Sequence, residues 1–152
     1  MSRSNDIMMG AIGGTFGGLA MFGVRVIGTQ TGVIIHSLPD KFERGMAEKT
    51  GFAEDQDVEQ QKELAIAEHI VLSAGLGAGY GLLRGWFKPP SLPSGVVYGL
   101  VIYAMMLLGI GPSFGIIRMP NEKPPKSVTG EIFVHLLFGT VTSLVTDRLR
   151  RR

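Results

Sequence analysis

The sequence predicts an all-α integral membrane bundle of four transmembrane helices, with a short amphipathic helix in the first loop. Three observations carry this. Apolar runs occupy about 7–35, 64–87, 94–117 and 127–147. The charged residues, only 18% of the 152, crowd into one loop, a few short links and the C-terminal end. The 22 glycines concentrate within the runs rather than between them. A hydrocarbon core of about 30 Å needs about 20 apolar helical residues, which every run supplies. Runs of this length with little alternation do not suit barrel strands, which alternate over about ten residues. The chain therefore reads as one membrane unit, 1–152.

The first run is overlong and interrupted by Arg25, so it is expected to tilt or to continue beyond the hydrocarbon. Only Arg3 precedes it, and no small-x-small site leads into a polar chain, so it reads as a retained span rather than a cleaved signal. The loop at about 37–63 follows. Ser37 with Asp40 forms a capping pattern, Pro39 suits a first turn, and Leu38, Phe42 and Met46 recur every four residues before Gly51. That spacing predicts an amphipathic helix on the membrane surface or on the other helices. A second acidic stretch, 55–63, is expected to run into the second span with Asp55 as its cap. Pro112 ends or bends the third span, leaving Phe114, Ile116 and Ile117 at the interface. Trp86 and Tyr98, close to span ends, are expected to anchor in the headgroup zone.

A net charge of +2 is too mild to suggest nucleic-acid binding, and without cysteine there is no disulfide framework, zinc ribbon or redox thiol. The loop's mixed charges read as a solvated face and lack the spacing of a calcium loop. Counting basic residues does not orient the bundle, but placement does. Arg148, Arg150, Arg151 and Arg152 abut the last span with no acid after Asp147, and such clusters are held in the cytoplasm. Both termini are therefore expected inside.

Membrane helices associate through close packing, which small residues four apart permit. Gly10, Gly14 and Gly18 form one ridge on the first span, with Gly13 and Gly17 beside it. Gly75 and Gly79, then Gly77, Gly81 and Gly85, repeat the pattern on the second, and Gly95 and Gly99 open the third. Spans one and two are expected to touch along these ridges; the alternative is glycines lining a pore. No strand precedes them, which excludes a dinucleotide-binding reading.

Ionisable groups inside hydrocarbon are costly and face the protein interior. Those groups are Arg25, Glu68, His69, Glu131 and His135, with His36 just beyond the first span. Under the expected topology all of them fall in the outer half of the membrane. Glu131 and His135, four apart, share a helix face. Three readings stand: a structural network around an Arg25–Glu131 ion pair, a proton or ion relay, or a metal or small-ligand site with His69 as third ligand. No metal or cofactor is assigned. Ser73, Ser94 and Ser113 have no base nearby in sequence, so an enzyme is not expected.

These residues carry a resemblance. His69 opens a span that continues through Ser73, Gly79 and Tyr80. Gly95 and Gly99 follow, then Pro112 and Pro120, Glu131 with His135, and an arginine-rich exit at Arg148. In this, the chain resembles the YagU-type family of small bacterial inner-membrane proteins, whose activity is not established. Span one is similar in kind, with Arg25 late in the helix and Pro39 and Arg44 in the loop, although the family's double proline there is single here. The resemblance implies a multi-pass protein of the bacterial inner membrane with the polar cluster as its working part. Two functions follow: sensing or relaying protons or an ion through Arg25, His69, Glu131 and His135, or docking as an accessory subunit or homo-oligomer in a larger membrane complex through glycine faces.

Overall fold

The computed structural model describes residues 2–30, 58–86, 90–113, 115, 120–122 and 125–151. The amphipathic helix expected around Leu38–Met46, the cap at Asp55, His36 and the residues Phe114, Ile116 and Ile117 lie outside them. Every described element is helical. α1 spans Arg3–Gln30, α2 Val58–Trp86, α3 Ser91–Tyr103 and α4 Pro125–Arg150. α3 continues through a π-helical segment, Ala104–Ile110, into a last turn at Gly111–Ser113. Among the described residues four helices are long and apolar enough to cross a membrane, the third counted from Ser91 to Ser113. The fold is that of a multi-pass membrane protein.

Local signals explain the helix ends. The Ser2 hydroxyl accepts a hydrogen bond from the Asn5 amide at 3.3 Å, and Asp6 sits in the first turn, where a carboxylate complements the helix dipole. Pro125 starts α4, where a missing amide proton is harmless. Arg148 and Arg150 occupy its last turn. The described third span reaches Ser113, one residue past Pro112, and is not plain α-helix up to that point. The preceding segment winds wider instead, and the Gly111 amide bonds the Met106 carbonyl five residues back. A proline ring collides with the carbonyl four residues before it in an α-helix, and π winding moves that carbonyl aside.

The helices alternate in direction around three close seams, in the order α2, α1, α4, α3. At the first seam a Cβ built on Gly10 would lie 2.7 Å from the Gly81 Cα, and one on Gly14 would lie 2.6 Å from the Gly77 Cα. Only hydrogen fits there. At the second, Gly13 and Gly17 face α4, with hypothetical Cβ atoms 2.6 Å from the Thr142 carbonyl and 2.8 Å from that of Phe138. At the third, Gly95 meets Gly139 and Ser143, and Gly99 meets the backbone of His135 and Leu136. α1 thus uses both of its glycine faces, one for each neighbour. The expected contact of spans one and two is present, but its α2 ridge is Gly77 and Gly81. Gly75 faces open space, and a Cβ on Gly79 would meet only the Tyr98 hydroxyl, at 3.7 Å. Gly75 and Gly79 are two positions away from the packed ridge, which turns them to another side of the helix.

α2 and α3 are bridged by aromatic side chains. Tyr80 and Tyr98 pack with ring centroids 5.0 Å apart, the Tyr98 hydroxyl donates to the Leu76 carbonyl, and Tyr80 shares a 2.9 Å hydrogen bond with Ser94. Tyr98 is therefore an interior bridge between helices and not the interfacial anchor the sequence suggests. Trp86, by contrast, stands 60% exposed at the end of α2. The described interior buries nine polar or charged residues against seven hydrophobic ones, while Phe16, Val71, Val97 and other large apolar side chains face outward. That inversion suits a lipid surround, which gives large apolar groups no reason to turn inward.

Candidate functional site

The three seams set a common register that brings the ionisable residues of the spans to one level. Gly10 faces Gly81, Gly14 faces Gly77 and Gly18 faces Ser73, so the next turn places Phe22 opposite His69. Their rings lie 6.4 Å apart. Gly13 and Gly17 face Thr146, Thr142 and Phe138, and two further turns bring Arg25 level with Glu131. Gly99 beside His135 brings Tyr103 to the same height. The layer lies towards the end of the bundle away from the two termini, in the same half for all of these groups.

Each side chain is held differently. Arg25 is buried on α1, 7% exposed, and close enough to His69 for their charges to interact. His69 donates its Nε2 proton to the Gly18 carbonyl at 3.2 Å, tying α2 to α1 across the glycine seam. Its Nδ1 is then the ring position that gains or loses a proton. His135 is held through its other ring nitrogen: Nδ1 donates to the Glu131 carbonyl one turn earlier, at 2.6 Å. Tyr103 meets its ring edge-on at 5.6 Å. Glu131, 5% exposed, accepts from the Ser127 hydroxyl at 3.4 Å and interacts electrostatically with Tyr103. Tyr103 is a member of this layer that sequence reasoning did not single out. The usable signal was its place one helical turn beyond Gly99. Glu68 is exposed and stands apart from the layer.

Contrary to the expectation that Ser73 lacks a nearby base, His69 stands four residues away on the same face of α2, with the Ser73 side chain packed under Gly18. Both groups are thus occupied at the α1 seam. Among the described residues no three histidine, aspartate or glutamate side chains converge as metal ligands. The layer consists of a guanidinium, two imidazoles, a carboxylate and a phenol.

The chain matches no family model, no curated protein and no solved structure.

A second polar set lies at the opposite end, where the termini meet. Arg84 on α2 grips Asp147 on α4 with two hydrogen bonds, Nε to Oδ1 at 2.8 Å and Nη2 to Oδ2 at 2.7 Å. The Ser91 hydroxyl at the start of α3 donates to the same carboxylate. Asp6 on α1 pairs with Arg150 on α4 at 3.2 Å, beside Gly85, where a Cβ would crowd the carboxylate at 2.9 Å. Sequence reasoning missed this set because its members look like ordinary flanking charges. The available signal was two acids, Asp6 and Asp147, among otherwise basic span ends.

Proposed function

We propose that this chain is a multi-pass protein of the bacterial plasma membrane, of the YagU type it resembles, that senses or relays protons through the layer of Arg25, His69, Glu131 and His135. Both termini face the cytoplasm in this reading, so the layer lies in the outer half of the bilayer. Arg3, Arg84, Lys88 and the arginines from Arg148 onward then fall on the cytoplasmic side, as the retention of basic clusters requires.

One observation carries the reading. Arg25, Glu131 and His135 are 5–7% exposed at one level of an apolar bundle, where each ionised group costs about 2.5–3.5 kcal/mol to insert. Histidine exchanges protons close to neutral pH. The His69 imidazole is tethered through Nε2 to the Gly18 carbonyl of α1, and the His135 imidazole through Nδ1 to the Glu131 carbonyl of its own helix. A proton taken up at His69 is felt at Arg25 on α1. His135 is hydrogen-bonded to the Glu131 backbone on its own helix and packs against Tyr103 of α3, which in turn interacts electrostatically with Glu131. Protonation therefore alters the charge balance across several helices.

The test is proton flux into liposomes containing the purified chain, read with an internal pH dye, together with pH-dependent accessibility of the layer. His69→Ala and Glu131→Gln are expected to abolish the pH response while retaining wild-type helix content. A response unchanged in both variants overturns the proposal. The alternative, an accessory subunit or oligomeric scaffold docking through glycine faces, has less to work with. Gly10, Gly14 and Gly18 are already covered by α2, and Gly75 is the α2 glycine that faces open space. A stable partner retained through mild-detergent purification, and lost on Gly75→Leu substitution, would favour that reading instead.

A further inference from the structure

Among the described residues four arginines stand at the ends of α2 and α4, and they fall into two pairs. Arg84 and Arg150 are engaged by Asp147 and Asp6. Arg148 and Arg151 are exposed and form no ion pair among the described residues. Both line a crevice of about 500 Å³ whose remaining surface comes from Leu144, Val145, Leu149, Ser91 and Asp147. The carboxylate does not cancel their charge, because Arg84 holds it bidentately and Ser91 donates to it. The crevice thus joins two guanidinium groups, without an ion pair among the described residues, to an apolar wall, with Leu144 49% exposed.

Its depth is set by the same ion pair. Arg84 lies opposite Asp147, so Trp86, two residues further along α2, stands near the level of Leu149. An exposed tryptophan at a span end marks the headgroup zone. Arg148 and Arg151 are then at phosphate depth, while Leu144 and Val145 lie one turn into the hydrocarbon. Guanidinium groups bind phosphate oxygens through paired hydrogen bonds, and basic pockets at helix ends take anionic headgroups.

We propose that this crevice binds an anionic phospholipid, its phosphate between Arg148 and Arg151 and an acyl chain along Leu144 and Val145. This goes beyond the proton-relay reading and is independent of it, resting on the membrane-spanning architecture alone. The test titrates the full chain in mild detergent with phosphatidylglycerol or phosphatidylcholine, counting bound lipid by native mass spectrometry. Phosphatidylglycerol is expected to bind about tenfold more tightly, a preference of about 1.4 kcal/mol. Arg148→Gln/Arg151→Gln should erase that preference, and either single substitution should reduce it about threefold, which carries the test if the double variant fails to fold. Arg3→Gln, which removes an exposed charge at the same end, should leave it unchanged. Equal binding of the two lipids, a preference that survives the double substitution, or an equal loss with Arg3→Gln overturns the proposal. So does displacement by millimolar inorganic phosphate, which would mark a site for the free anion.

Discussion

Arg84 and Asp147 meet through two parallel hydrogen bonds of 2.8 and 2.7 Å, joining the last turn of α2 to the last turn of α4. Elsewhere these two helices barely touch, because α1 lies between them. The pair is the main direct link across the bundle at that end. With side chains only 13% and 8% exposed, it is also poorly screened by solvent.

Removing one partner should therefore cost more than removing both. Asp147→Ala is expected to destabilise the bundle by about 3 kcal/mol, because it leaves the Arg84 guanidinium enclosed without its carboxylate. Arg84→Met/Asp147→Leu should recover much of that loss. Ser91→Ala, which deletes one hydroxyl donor, should cost about 1 kcal/mol. Unfolding by sodium dodecyl sulfate, followed by circular dichroism, measures all three; a double variant less stable than Asp147→Ala would refute the account.

The two glycine ridges of α2 should respond in opposite ways. Gly77→Ala drives a methyl group into the Gly14 backbone, 2.6 Å from its amide nitrogen, and is expected to cost at least about 2 kcal/mol. Gly75→Ala meets nothing within 4 Å, and replacing glycine in a helix should stabilise it by up to about 1 kcal/mol. The same unfolding titration separates them, and equal effects would show that the seam is looser than 2.6 Å.

His69 couples the polar layer to the α1–α2 seam through its Nε2 proton. His69→Ala should lose about 1 kcal/mol of stability with the hydrogen bond. His69→Gln keeps a donor, so it should retain stability but lose any pH response. Stability against dodecyl sulfate, measured beside the liposome assay, divides the structural role of this side chain from its acid–base role.

Tyr98 holds α3 against α2 through its hydroxyl and its ring. Tyr98→Phe should cost about 1 kcal/mol. Tyr98→Ala should cost about 3–5 kcal/mol, since it also empties the space between the helices. A cysteine pair placed on the facing sides of α2 and α3 should crosslink less uniformly in the alanine variant. Unchanged crosslinking would mean that Tyr98 does not set the distance.

Span number, span length and helical character were legible from the sequence because each depends on local quantities: run length, apolar content, and the position of caps and prolines. The buried Arg25, Glu131 and His135 were legible for a related reason, since a charge within an apolar run has few places to go except inward. Their common level follows from span direction and position along each run. Rotation of each helix about its axis was not legible. On α2 both Gly75/Gly79 and Gly77/Gly81 satisfy the same four-residue spacing, and only the opposing backbone of α1 distinguishes them. The small face of α4 was hidden for a similar reason: Thr146, Thr142 and Ser143 serve as small residues only because Gly13, Gly17 and Gly95 stand against them. Tyr98 turned inward, and Asp6 and Asp147 found arginines on other helices, through contacts between residues far apart in the chain. Periodicity states which residues share a face. Which face meets which neighbour is settled by the fit of all the helices together.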